Sequence, residues 1–232
     1  MEHKHPHSRD NHSHGDHSHG HTLYDELVCH LPYAIYAVSL SLALLSFLTL
    51  LYFRGLDSHI VHKISHALFH NFHFMHIVFA GMGVMLTYGR YSQKWFKGIV
   101  LGSISATFFC VLSDILMPYV GGRFLGAPMD LHICFFKEFR NITPFLIVGI
   151  ASGTVMASHH VGRQSMYSVI SHFVHIFISS LASMFYLVGH GFLDWHKQIG
   201  MIFTLLLCAV VVPCTLSDIV VPLFVAKDRQ KK

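Results

Sequence analysis

Cys110-Val111-Leu112-Ser113-Asp114-Ile115-Leu116-Met117-Pro118 and Cys214-Thr215-Leu216-Ser217-Asp218-Ile219-Val220-Val221-Pro222 are two copies of one pattern, C-x-L-S-D-I-x-x-P, set 104 residues apart. Each copy lies inside a long apolar run. A carboxylate is costly to keep in such a run, and where it occurs it faces a protein interior or a watery cavity on an ion or substrate path. Two of them in equivalent places make this chain a duplicated membrane protein with a polar centre.

The composition agrees. Of 232 residues, 53% are hydrophobic and 12% charged, and the mean hydropathy is +0.49. A soluble domain carries about 25% charged residues, so the deficit places the chain in the bilayer. The formal charge of +4 comes with no basic block interleaved with aromatics, so nucleic acid is not an expected partner. The five cysteines, Cys29, Cys110, Cys134, Cys208 and Cys214, lack the spacing of a disulfide framework. The first 21 residues are polar and no A-x-A pattern follows the first span, so that span is expected to stay as a membrane helix rather than be cleaved.

Six apolar spans are predicted: Leu31–Phe53, Ser65–Tyr88, Gly98–Val120, a short fourth at Thr143–Ser158, Tyr167–Val188 and Ile199–Val225. The repeat reaches beyond its nine residues. His73-Phe-Met-His76-Ile77 matches His172-Phe-Val-His175-Ile176 at an offset of 99, and Trp95-Phe-Lys97 matches Trp195-His-Lys197. Leu31-Pro32-Tyr33 and Thr143-Pro144-Phe145 open spans one and four. Shared Leu and Ile arise by chance in apolar sequence. Matched Cys, Ser, Asp, Pro, His pairs and Trp-x-Lys in one order do not. The expected fold is therefore all-α integral membrane, six transmembrane helices as two inverted three-helix repeats, because an odd number of crossings inverts the second copy. The predicted organisation is a disordered His-rich tail at 1–30, the first repeat at 31–120, a connector with a short interfacial helix at 121–142, the second repeat at 143–225 and a basic tail at 226–232. Sorting lysines and arginines by side gives ten against six for the side bearing both termini. The positive-inside rule then makes the termini cytoplasmic, with the plasma (inner) membrane as the default.

Candidate metal ligands follow from residue type. The tail reads His12-Ser-His14-Gly-Asp-His17-Ser-His19-Gly-His21. It has nothing to bury, and neutral imidazole binds zinc, copper and nickel, so it is expected to collect metal. In span two, His62, His66, His70, His73 and His76 are spaced by four, four, three and three and share a stripe about 120° wide. His62, His66 and His70 would form a path leading inward. Ser168, His172, His175, Ser179 and Ser183 share one face of span five. The recurring pairs, His73 with His76 and His172 with His175, are the expected central ligands together with Asp114 and Asp218. Ser103, Thr107, Cys110 and Asp114 read as one polar stripe, and thiolate beside carboxylate suits a transition metal. Cys110 and Cys214 are therefore included, although a buried cysteine is equally a small hydrophobe. Pro118 and Pro222 lack an N–H and are expected to break their helices, freeing the carbonyls of Asp114 and Asp218. The remaining histidines near the membrane edges, among them His132 and His190, read as structural. The adjacent pair His159-His160 is the one of these worth testing.

The tail resembles the histidine-rich segments of zinc transporters of the ZIP and cation-diffusion-facilitator families, which implies metal handling. His70-Asn71 resembles the His-Asn of the ZIP metal helix, but Phe74 stands where that helix has Asp. The His-x4-Asp-His signature of nickel–cobalt permeases is absent. Pro213-Cys214 resembles the Pro-Cys of membrane thiol-relay proteins, placed there in the first helix of each repeat and here in the third.

The leading expectation is a permease for a divalent transition metal as substrate: zinc first, then nickel, cobalt, manganese or iron. No prosthetic group is expected. Protons would be possible coupling ions, the bilayer the surroundings and a homodimer one assembly. The alternatives are a histidine-rich membrane metalloenzyme acting on a lipid, a thiol relay through Cys110 and Cys214, and a metal sensor or store.

Overall fold

The structure, a computed structural model, describes residues 23–50, 55–133, 138–159 and 164–227. Regular structure among them is all helical: α1 (Leu23–Leu48), α2 (Ser58–Tyr91), α3 (Trp95–Val111), α4 (Met117–Phe124), α5 (Phe139–His159), α6 (Gln164–Gly189), α7 (Ile199–Leu206), α8 (Val212–Thr215) and α9 (Val221–Lys227). Short π-helical turns join α3 to α4, α7 to α8 and α8 to α9. The result is six helices long and apolar enough to cross a membrane: Leu31–Leu48, Ser58–Tyr91, Trp95–Phe124, Phe139–Ser158, Ile170–Gly189 and Trp195–Ala226. Helices satisfy their own backbone groups where water is absent, as a bilayer core demands.

The fourth span is longer than the sequence suggests. It starts at Phe139 and carries Pro144 inside it, because a proline near a helix start costs only one backbone bond, which membrane helices tolerate. Residues 121–124 complete α4 and 139–142 begin α5, while 125–133 are turn and extended chain. The expected interfacial helix is thus not formed by the described part of the connector. The helix of the first span begins at Leu23, inside the stretch assigned to the tail. The tail histidines and His160 lie outside the described residues.

Two helices occupy the middle. α6 is the most deeply buried, with Ile176, Leu181, Met184, Phe185, Tyr186 and Leu187 inaccessible. α2 lies against it in the antiparallel sense: Gly189 sits on the backbone of His66, and further along His175 meets His76. α5 approaches α2 through Gly149 and Gly153, a G-x-x-x-G pair. A Cβ at Gly149 would strike the Val78 carbonyl, and one at Gly153 would lie 2.7 Å from the Met82 carbonyl. Small residues allow this approach where lipid tails are as apolar as the helices and burial alone drives little association. Large side chains such as Tyr36, Phe96, Phe108, Phe124 and Phe224 face outward, the apolar surface a bilayer accommodates.

Candidate metal centre

Four helical segments deliver the central polar residues. His73 and His76 come from α2, His172 and His175 from α6, and Asp114 and Asp218 from the π turns Leu112–Leu116 and Leu216–Val220. All six are buried. In the first set, Nδ1 of His73 and Nδ1 of His76 lie 2.8 and 2.7 Å from the same oxygen, Asp114 Oδ2. In the second, Nδ1 of His175 and Nδ1 of His172 lie 2.5 and 3.5 Å from Asp218 Oδ2. The sets meet at His76 Nε2 and His175 Nε2, 2.5 Å apart. Cys214 Sγ lies 3.6 Å from His76 Nε2. Cys110 is buried too, and Cys110, Cys208 and Cys214 are free thiols.

Asp114, His76, His175 and Asp218 are linked by three successive contacts. Two neutral imidazoles supply one N–H each. Filling all three contacts as hydrogen bonds takes three hydrogens, one more than the two neutral rings supply.

The two carboxylates differ on their other oxygen. Asp114 Oδ1 accepts from Ser113 Oγ at 2.9 Å and from Ser179 Oγ at 2.7 Å. Ser183 Oγ donates to the Ser113 carbonyl at 3.0 Å. Serines of α6 thus hold the aspartate that follows α3. Asp218 Oδ1 has no hydrogen-bond partner. Beside it lies a cavity of about 20 Å³, lined by Gly83, Thr87, Ser171, His172 and Asp218 among others. That is room for one water-sized guest. A Cβ at Gly83 would lie 2.5 Å from Asp218 Oδ2, so any side chain there would have to displace the carboxylate.

The helix break takes a different form from the one expected. Each Asp sits in a π turn, in which Met117 N–H bonds the Leu112 carbonyl and Val221 N–H the Leu216 carbonyl. In that i to i−5 register Pro118 releases the Ser113 carbonyl, one residue before the α-helical count, and this is the oxygen Ser183 finds. By the same count Pro222 releases that of Ser217. π turns inside α-helices are frequent at functional sites. The polar stripe of the third span also divides. Cys110 and Asp114 face the centre, whereas Ser103 and Thr107 line an outward groove between α3 and α5 with Ile104, Phe108 and Leu146. Sequence reasoning missed Ser113 as a partner of Asp114, and it missed Gly83, which carries no signal of its own.

A second group of imidazoles lies toward the N-terminal end of α2. His62 is exposed, while His66 and His70 are half-buried. The His66 ring centroid is 4.6 Å from that of His70, 5.6 Å from His132 and 5.9 Å from His190. His190 Nδ1 donates to the Tyr186 carbonyl at 2.8 Å, which leaves Nε2 as the acceptor. Burial lowers the His190 pKa to about 4, against the opposing pull of that carbonyl, so the ring is neutral near pH 7. Among the described residues, nitrogen, sulfur or carboxylate donors come within 4.8 Å of one another in three sets: His76, His175 and Cys214; His172, His175 and Asp218; and His66, His70 and His132.

The chain is thus a helical protein of membrane-spanning proportions with buried His/Asp groups at its centre. No known protein family, curated protein or solved structure matches it.

Proposed function

We propose that the chain is a permease for a divalent transition metal, zinc first among them, whose site lies between two inverted repeats. The observation that carries the reading is the meeting of two equivalent His-His-Asp sets, buried, at His76 and His175 with Cys214 beside them. Imidazole nitrogen, carboxylate oxygen and thiolate are the ligand types that borderline transition metals take. The antiparallel crossing of α2 and α6 supports inversion, since these are the helices that carry the equivalent histidine pairs.

The ion would lie between His76 Nε2 and His175 Nε2 beside Cys214, with Asp114 and Asp218 holding Nδ1 on the far side of those two rings. At a tetrahedral zinc with Zn–N near 2.0–2.1 Å, two nitrogens stand roughly 3.3 Å apart. The 2.5 Å pair must therefore open slightly, and any hydrogen between the rings must leave. Metal binding releases protons from its ligands, which ties metal movement to proton movement. The second-set carboxylate, with Asp218 Oδ1 unpaired beside a small cavity, is the side from which the ion is exchanged. The α2 histidines lead in from the other end. Rocking of one repeat against the other would switch access.

A lipid-acting metalloenzyme needs an open metal position and a route for its substrate, and the cavity at Asp218 admits only a water-sized guest. Flux in proteoliposomes tests the proposal, with zinc, nickel, cobalt and manganese offered one at a time, with and without a pH gradient. One metal should move, and the Asp114→Asn, Asp218→Asn chain should move none. Equal flux in both chains would overturn it.

A further inference from the structure

The histidines at the N-terminal end of α2 do more than mark a path. His66 and His70 stand at i and i+4 on one helix, the spacing by which two imidazoles on a helix face hold one zinc. A third imidazole, His132, comes from the loop after α4. That loop is fixed: His132 N–H donates to Tyr186 Oη at 3.2 Å, and Gln198 Nε2 donates to the Leu125 carbonyl at 3.4 Å. Gly191, at φ +106°, lets the end of α6 turn under it against Pro128. His70 Nδ1 is buried and has no hydrogen-bond partner. Ring stacking alone would leave that buried nitrogen unpaired, which is destabilising. A bound cation would give it a role.

We propose that His66, His70 and His132 form a second divalent-metal site, separate from the central one. Their donor nitrogens lie within 4.8 Å of one another. Closing on a zinc-class ion asks each ring to move by roughly an ångström, given Zn–N distances near 2.0–2.1 Å. Rotation about the side-chain torsions supplies that motion. Three neutral nitrogens leave a fourth position for water, which faces His190. Along α2, at about 1.5 Å per residue, His66 and His70 lie roughly 15 and 9 Å from His76. An ion here is distinct from one at the centre. Three neutral ligands and an open position make a site that fills and empties readily, suited to loading the buried one. The site stands on its own geometry, and its occupancy does not require that the central site transport anything.

The test uses the full chain with the eight tail histidines (His3, His5, His7, His12, His14, His17, His19 and His21) replaced by serine. Zinc stoichiometry is measured by equilibrium dialysis in detergent, and cobalt(II) absorption reports the ligand geometry. This chain should bind two zinc ions. The His66→Gln, His70→Gln, His132→Gln chain should bind one. The His76→Gln, His175→Gln chain should keep the outer ion, with a cobalt spectrum of nitrogen and water ligands. His132→Gln alone, a loop change that leaves the bundle intact, should weaken the outer ion about tenfold or more. Undiminished stoichiometry in the triple variant, or unchanged affinity in His132→Gln, would overturn the proposal. Two bound ions with no flux would instead overturn the permease reading and leave this site standing.

Discussion

Each buried carboxylate is held by the histidine pair of its own half, and only Asp114 gains a partner from the other half, Ser179. Asp114 Oδ1 has two hydroxyl donors, Ser113 and Ser179. Asp218 Oδ1 has none. The repeat offset of 99 places Ala80 where α6 has Ser179, which removes one donor, and Ser217, the equivalent of Ser113, lies 3.3 Å from Ser105 Oγ instead. Hydrogen bonds to a charged group contribute about 1.5–3 kcal/mol. Ser179→Ala should therefore lower the thermal midpoint in detergent, measured by scanning fluorimetry, whereas Ser39→Ala, which loses only an exposed bond to its own helix, should leave it in place. Equal midpoints for the two would mean that the Ser179 hydroxyl holds nothing. The paired histidines and both aspartates were legible in the sequence because they recur. The meeting of His76 with His175 and of Ser179 with Asp114 was not: a repeat shows which residues are equivalent, not which ones meet.

At the scale of elements, periodicity and hydropathy gave all six spans. They missed the π turns. A π turn shifts the helical register by one residue without changing which residues are apolar, so hydropathy does not report it. It does change which carbonyl Pro118 releases. His132 and His190 were missed as neighbours of His66 for a related reason, since one comes from a loop and the other from a helix end, where no helical stripe continues. The contact of α5 with α2 depends on the absence of side chains. Gly149→Leu would drive a branched side chain into the Val78 carbonyl, in a bundle where close approach supplies the attraction. Overpacking of this kind costs about 1–3 kcal/mol or more. Gly149→Leu should unfold at lower temperature and lose its resistance to mild denaturing detergent. Gly200→Leu, with nothing within 4 Å of its Cβ position, should match the parent on both measures.

For the whole molecule, the proposal turns on whether the two halves move against one another. α2 belongs to the first half and α5 to the second, and they touch far from the outer histidines. A Cβ at Gly89 would lie 2.8 Å from Cβ of Ala157. That is slightly under the roughly 3.5–4.5 Å of a disulfide, so small backbone adjustments would allow a bridge. Gly89→Cys, Ala157→Cys, with Cys29, Cys134 and Cys208 changed to serine, would staple the halves at one end and leave Cys110 and Cys214 in place. If access to the centre alternates by rocking, the oxidised staple should abolish zinc flux and a reductant should restore it. Zinc binding should persist in both states, because the staple touches no proposed ligand. Undiminished flux in the oxidised chain, with the bridge confirmed by mass spectrometry, would exclude rocking at this interface. Movement would then have to come from smaller changes around the π turns, where His76 and His175 part to let the ion through.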